Sequence, residues 1–147
     1  MSAVSEIMSE RKIVSLAIAS NPSVLDATKL MLKNKIGSVV LVNKDKRPVG
    51  IVTERDVLRK ASTTRRKLAE IKVREVMSSP VTTVRPFDSV DTAAEAMARK
   101  RIKRLVVVEQ DGSMAGIVSL TDITRKLAKI LADEQNRYGK LRQMLED

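Results

Sequence analysis

The sequence predicts an α/β (α+β) fold made of two similar units packed sheet against sheet about a pseudo-two-fold axis. Three observations lead there. A motif returns at a constant spacing, each copy alternates helical and strand patterns in the same order, and each unit alone is too small to bury its own sheet. Gly50-Ile51-Val52-Thr53-Glu54-Arg55-Asp56 returns 66 positions later as Gly116-Ile117-Val118-Ser119-Leu120-Thr121-Asp122. The same offset carries Ser23 to Ser89, Ala27 to Ala93, Met31 to Met97, Ile36 to Ile102 and Val40 to Val106. Such self-similarity is the signature of a repeated structural unit. Further upstream, Glu6-Ile7-Met8-Ser9 matches Glu75-Val76-Met77-Ser78 at an offset of 69, so the first copy carries three extra residues before Ser23. The copies are read as 7–62 and 76–132. A basic linker, 63–75, joins them, and a helical tail, 133–147, follows.

The elements of each copy follow in order. Ser23 and Ser89 stand where an N-cap belongs, ahead of apolar residues at helical spacing: Val24, Ala27, Leu30 and Met31 in one copy, Val90, Ala93, Ala94 and Met97 in the other. A β-branched run follows, Ser38 to Val42 or Leu105 to Val108, then a polar turn and a second short strand, Val49 to Val52 or Ala115 to Val118. Two strands separated by a few polar residues read as a hairpin. Thr53 or Ser119 then opens a second helix. A unit of about 55 residues is marginal alone, and two of them can bury their sheet faces mutually. In the tail, Ile130, Leu131, Tyr138, Leu141 and Leu145 recur at helical spacings. They predict a helix packed on a partner or on the N-terminal segment, although Gly139 weakens it by about 1 kcal/mol relative to Ala; a solvated or disordered end is the alternative.

Composition narrows the chemistry. The chain has 147 residues, 43% of them apolar and 31% charged, a globular balance. It has no Cys, which excludes disulfides, thiolate metal sites and a cysteine nucleophile. It has no His, the commonest metal ligand and general base. Phe87 and Tyr138 are its two aromatics, too few for a base-stacking platform. The net charge of +10 fits an anionic partner. No signal peptide and no membrane-spanning run is visible, so a cytoplasmic location without membrane contact is expected.

With the repeat and its motifs in place, the sequence resembles the cystathionine-β-synthase (CBS) domain, and the pair resembles a Bateman module. The residues that carry this are Gly50-Ile51-Val52-Thr53 to Asp56, Gly116-Ile117-Val118-Ser119 to Asp122, the strands before them, and the Val76-Met77-Ser78 start. Lys103-Arg104-Leu105-Val106-Val107-Val108 ahead of the second motif is similar to the regulatory gamma subunits of AMP-activated protein kinase. The resemblance implies two βαββα-like units, a regulatory module without catalysis, and adenine nucleotide held in clefts between the units. The nucleotide enters as a regulatory ligand, with no cofactor required. AMP is the leading ligand, then ATP or ADP, with S-adenosylmethionine behind them. A homodimer paired through outer helices is also implied, with Leu30, Met31, Leu58, Met97 and Leu127 available, as is an unknown regulated protein.

The residues themselves give reasons. Asp122 and Ser119 are three apart at a helix start, as are Asp56 and Thr53, so each pair faces one side, where unpaired N–H groups favour an anion. An ionised Asp accepts both hydroxyls of a ribose. The alternative is that each pair only caps its helix. Arg104 offers a planar fork and Lys103 a point charge for phosphate, or both belong to a solvated basic face running on from Arg99. The first copy has uncharged Gly37 and Ser38 there. By the resemblance, the Asp122 cleft takes base contacts from Leu16, Ala17, Ile36 and Gly37. The Asp56 cleft takes them from Thr82, Thr83, Ile102 and Lys103. The first copy has Ser15-Leu16-Ala17 where the family often has Thr, a departure that affects the Asp122 cleft, and Leu16 and the isoleucines equally suit plain core. Arg55 reaches a phosphate in the Asp56 cleft or faces solvent. Two rival classes stay open. Catalysis lacks a carboxylate pair or a phosphate loop with its Lys. An adaptor or nucleic-acid-binding role would rest on the basic surface, with no reading motif to support it.

Overall fold

A computed structural model describes residues 2–8 and 14–146. The order is α1 (Val4–Ile7), β1 (Ser15–Ala17), α2 (Val24–Asn34), β2 (Ser38–Val42), β3 (Pro48–Thr53), α3 (Glu54–Thr63), β4 (Thr83–Val84), α4 (Val90–Lys100), β5 (Arg104–Val108), β6 (Met114–Ser119) and α5 (Leu120–Glu146), with 3-10 turns at Ile18–Ser20, Leu68–Glu70 and Val73–Glu75. Each copy is thus a β-α-β-β-α unit. Its three-stranded sheet pairs the first strand parallel, and the third antiparallel, to the central one.

Local chemistry explains the helix ends. Ser23 Oγ accepts from the Asp26 amide at 3.1 Å, and Asp26 Oδ2 accepts from the Ser23 amide at 2.8 Å, a reciprocal capping box. Ser89 caps α4 through the Thr92 amide. Both helices stop on a left-handed residue, Lys35 at φ 53° and Arg101 at φ 55°, whose amides turn back on the last carbonyls. The hairpin turns also repeat. Asn43 N–H donates to Arg47 and Glu109 N–H to Ser113, with a positive φ at Lys46 and at Gly112.

The central strands are buried on both faces, because each sheet has helices on one side and the other sheet on the opposite side. Val39 and Leu41 of β2 join Val24, Ala27 and Met31 in the first core, and Leu105 and Val107 of β5 join Ala93 and Met97 in the second. The alternate residues, Val40, Val106 and Val108, meet in a third cluster with Ile51 and Ile117 at its rim. This period-two split is what a strand between two layers requires. Burying these faces mutually stabilises two units that would each be marginal.

The segments leading into the copies cross over. Val4 is buried in the second core, and Ile71 and Val73 in the first. Ser2 C=O accepts from Val90 N–H and Ile71 C=O from Val24 N–H, so each leading segment ties down the first helix of the other copy. The three extra residues of the first copy can be placed. Strand pairing puts two of them between Leu16 and Ser23, the stretch that holds the 3-10 turn Ile18–Ser20 and left-handed Asn21, and the third falls in 9–13, outside the described residues.

The tail predicted as a separate helix from 133 is the continuation of α5, and from Leu127 to Glu146 every residue is exposed. It does not lie on the N-terminal segment among the described residues. Met31 and Met97, counted above as available to a partner helix, are 4% and 3% exposed and belong to the cores, whereas Leu58 and Leu127 are open.

Candidate functional site

Each repeated Gly-Ile-Val-Ser/Thr motif runs off the third strand straight into a helix. Ser119 amide donates to Asp122 Oδ2 at 2.8 Å and Asp122 amide to Ser119 Oγ at 3.1 Å. In the first copy Thr53 donates to Asp56 Oδ2 from its amide at 2.9 Å and its hydroxyl at 3.0 Å, and Asp56 amide returns to Thr53 Oγ1 at 3.3 Å. Both aspartates therefore cap, using Oδ2 in each case. Oδ1 takes no part in either box. Asp122 Oδ1 lies 3.6 Å from Arg125, whose side chain is 73% exposed. Such an exposed contact is worth little and yields easily to a ligand.

Beside this cap opens a cavity of about 450 Å³ lined by Lys103, Arg104, Ser119, Leu120, Thr121, Thr124, Arg125 and Ala128. Lys103 C=O accepts from Leu120 N–H at 2.8 Å, which fixes the start of β5 to the start of α5. Three cations and three hydroxyls line the space, with no carboxylate among its walls, so it presents donors suited to an oxyanion. Arg104 also reaches into the first copy. A Cβ on Gly37 would stand 2.6 Å from Arg104 Nη2 and 3.4 Å from Glu54 Cδ. Gly37 C=O accepts from Glu54 N–H, the first-copy counterpart of the Lys103–Leu120 bond. Of the predicted residues, Lys103, Arg104 and Ser119 line the cavity, whose walls all belong to the second copy, Asp122 is bonded to Ser119 beside it, and Gly37 of the first copy lies against Arg104.

Other predicted residues fall elsewhere. Strand register sets Ser15 opposite Val40 and Thr83 opposite Val106, so Val14 and Ser15 are the counterparts of Thr82 and Thr83. Leu16 corresponds to buried Val84 and packs on the first core, while Ala17 is exposed. The motif offset of 66 does not hold in β1, because the insertion lies partly after it. Thr82 C=O accepts from Val106 N–H, and Thr83 is exposed beside it. Ile102 packs against the second core, and Ile36 N–H closes α2 by donating to Met31. Arg55 is exposed on the first turn of α3, near Thr53 and Asp56 but clear of the cavity. Sequence reasoning missed Thr121, Thr124, Arg125 and Ala128. Their spacing places them on one helical face beside Ser119, which is the signal that could have found them. Among the described residues no cluster of three or more acidic side chains is placed to hold a metal ion, and no helix is long and apolar enough to cross a membrane.

Comparisons with known proteins agree with this architecture. The CBS domain family matches twice, over residues 4–63 and 73–129. An uncharacterized protein of Methanopyrus kandleri is 36% identical over 115 residues, 78% of this chain, and the match spans 59% of that relative's length. A mitochondrial CBS domain-containing protein of Arabidopsis thaliana is 32% identical over 124 residues, 82% of this chain and 60% of its own. A CBS domain protein from Pyrobaculum aerophilum, solved in complex with AMP, is 33% identical with a TM-score of 0.74, covering 87% of this chain and 99% of that one. A CBS domain pair solved with 5′-methylthioadenosine and S-adenosyl-L-methionine is 27% identical with a TM-score of 0.75, covering 86% of this chain and 99% of that one. With both repeats matched and the sheets stacked as the repeat required, the chain belongs to the CBS domain family and forms a CBS domain pair, a Bateman module.

Proposed function

We propose that this chain is a non-catalytic regulatory module that binds an adenine nucleotide at the junction of its two copies, with AMP ahead of ATP and ADP and S-adenosylmethionine behind them. The observation that carries the reading is the cavity in which Lys103, Arg104 and Arg125 converge beside the capped Asp122. Lys103 and Arg104 take the phosphate inside it, Ser119 adds a polar contact from its wall, and Asp122, which stands beside the cavity and not in its walls, takes a ribose hydroxyl through Oδ1 at the edge. Charge-assisted bonds of this kind contribute about 1.5–3 kcal/mol each. The cation set favours a phosphate over the sulfonium side chain of S-adenosylmethionine. Thr53, Asp56 and Arg55 give the first copy a second site with fewer cations, drawing on Thr82, Thr83 and Ile102 at its base end. The module works as a homodimer, in the cytoplasm, and passes occupancy to a regulated protein.

Calorimetry of the full chain with AMP, ADP, ATP, S-adenosylmethionine and adenosine tests this. Saturable heat with AMP, together with a melting temperature that rises with ligand concentration, is the expected result. If none of the five gives heat or stabilises the protein at millimolar concentration, the reading fails.

A further inference from the structure

Among the described residues the second half of α5 has no partner. Leu131, Tyr138 and Leu145 are 58%, 74% and 88% exposed, and a Cβ added at Gly139 would meet nothing within 4 Å. Isolated apolar side chains on a surface need no explanation, but these are ordered. Leu127, Leu131, Glu134, Tyr138, Leu141 and Leu145 follow one another in alternating steps of four and three. That is the 3.5-residue period of a helix paired with another helix, whereas a helix lying on a sheet keeps a period nearer 3.6.

The order of the residues specifies the partner. Read outward from Asn136, the stripe is self-complementary: Glu134 mirrors Tyr138, Leu131 mirrors Leu141, and Leu127 mirrors Leu145. A closed two-fold interface requires this of a surface that pairs with itself. In an antiparallel pair each leucine meets a leucine, and the one acidic position meets the phenol of the second copy, whose O–H can donate to the carboxylate. Ile130 and Met144 flank the seam opposite each other. The parallel pairing is opposed by its own charges. It would set Glu134 against Glu134 within the seam; at the flank each pairing has one like-charge contact, Arg137 with Arg142 in the parallel pair and Arg137 with Arg137 in the antiparallel one, so the seam position decides. In the free chain Glu134 already lies 3.3 Å from Arg137 on its own helix, which offsets the charge it would carry into the seam.

We propose that two copies of this chain pair through antiparallel contact of their Leu127–Leu145 segments, about a two-fold axis beside Asn136. This deepens the homodimer reading and is independent of the nucleotide reading. It places the interface on the projecting helix and leaves the outer faces of α2 and α3, with Leu32 and Leu58, uninvolved. The two CBS pairs then stand at opposite ends of the paired helices.

Sedimentation equilibrium of the full chain, wild type against Leu131→Glu/Leu141→Glu, tests the interface. Both side chains are exposed, so the variant keeps its fold, checked by its melting curve. The wild type is expected to be a dimer, and the variant's dissociation constant is expected to rise by at least about a hundredfold, because charges enter an apolar seam. An equally dimeric variant overturns this interface and leaves the homodimer reading standing, with the Leu32 and Leu58 face as its seat. A monomeric wild type overturns both and leaves the stripe to a different protein. Orientation is read with single cysteines, which this chain otherwise lacks. A short bismaleimide should join copies through Gln135→Cys, next to the axis. It should fail through Glu146→Cys, where the antiparallel helices separate the two sites by about 30 Å. Cross-linking at both positions signals a parallel pair and overturns the antiparallel arrangement.

Discussion

The guanidinium of Arg104 occupies the space that a side chain on Gly37 would need. A Cβ at Gly37 would come within 2.6 Å of Arg104 Nη2, and no other contact within 3 Å stands in its way. The two residues belong to different copies, so this approach is one of the places where the pseudo-symmetric halves become chemically unequal. Gly37 matches Lys103 at the repeat offset, and Arg104 matches Ser38, so one copy supplies cations where the other supplies room for them.

Gly37→Ala is therefore expected to move Arg104 while sparing the fold. The clashing atom is the far end of a flexible side chain, so the melting temperature should barely change. Under the proposed function AMP affinity should fall by roughly tenfold, the low end of what one charge-assisted bond contributes. Adenosine, which lacks the phosphate, should bind as before. Calorimetry with both ligands checks this, and equal losses for the two would show that Arg104 does not serve the phosphate.

The crossed leading segments give a second prediction. Met77 Sδ lies 2.5 Å from where a Cβ on Gly50 would stand, and Met8 Sδ lies 3.2 Å from the corresponding point on Gly116. Gly50→Ala thus demands a real shift of Met77, whereas Gly116→Ala asks only a small adjustment of Met8. Overpacking of this kind costs about 1–3 kcal/mol. Gly50→Ala should fall in that range and Gly116→Ala below it in urea unfolding. Adding Met77→Ala to Gly50→Ala should recover part of the difference.

Much of this fold was legible because the repeat states each element twice. Ser23 and Ser89 marked helix starts by the chemistry of a cap, and Ser38 to Val42 marked a strand by its β-branched run, while the burial of both its faces appears only in the structure. The crossing of Val4 and Val73 into the opposite copies was not legible. Sequence similarity shows that two segments are alike, and it is silent on which neighbour each one packs against. The same limit displaced the first-copy base contacts. Leu16 and Ala17 followed from carrying a spacing through an insertion, and only the pairing of Ser15 with Val40 shows that the strand is shifted. Lys103 and Arg104 were singled out by their charge and by the family resemblance, and both line the cavity, but Thr124 and Arg125 reach it by helical geometry that the motif does not contain.

Acid should weaken α2 in a predictable direction. The Ser23 amide and hydroxyl hold the Asp26 carboxyl below its ordinary range, aided by the charges of Lys29 and Lys72, against a smaller opposing effect of burial. A carboxylate whose folded-state value is lowered contributes stability that is complete above the unfolded value. That stability is lost as the pH falls through the folded value. Asp26→Asn should accordingly reduce stability near neutrality and flatten the pH dependence below about pH 5. Thermal melts of both proteins from pH 7 to pH 3 should converge at the acid end. Parallel curves would show that the charge on Asp26 is not coupled to folding.

The last prediction separates the two duties of Asp122. Its Oδ2 closes a capping box with Ser119, and its Oδ1 faces only the loosely held Arg125 among the described contacts. Ser119→Ala removes the hydroxyl that accepts from the Asp122 amide, so it should cost about 1 kcal/mol of stability. The carboxylate stays in place, so AMP affinity should fall only by what one neutral hydrogen bond contributes, about 0.5–1.5 kcal/mol or roughly two- to tenfold. Asp122→Ala removes the return bond to the Ser119 amide and the oxygen proposed for the ribose. Its loss of stability should be similar, and its loss of AMP affinity should be tenfold to over a hundredfold. Asp56→Ala disturbs an equivalent box in the first copy, with Thr53, and should leave the Asp122 site's affinity unchanged. Melting curves report the capping loss and calorimetry the binding loss, so the two are read independently. If Asp122→Ala melts earlier yet binds AMP like the wild type, the carboxylate serves the helix alone and the ribose is held elsewhere.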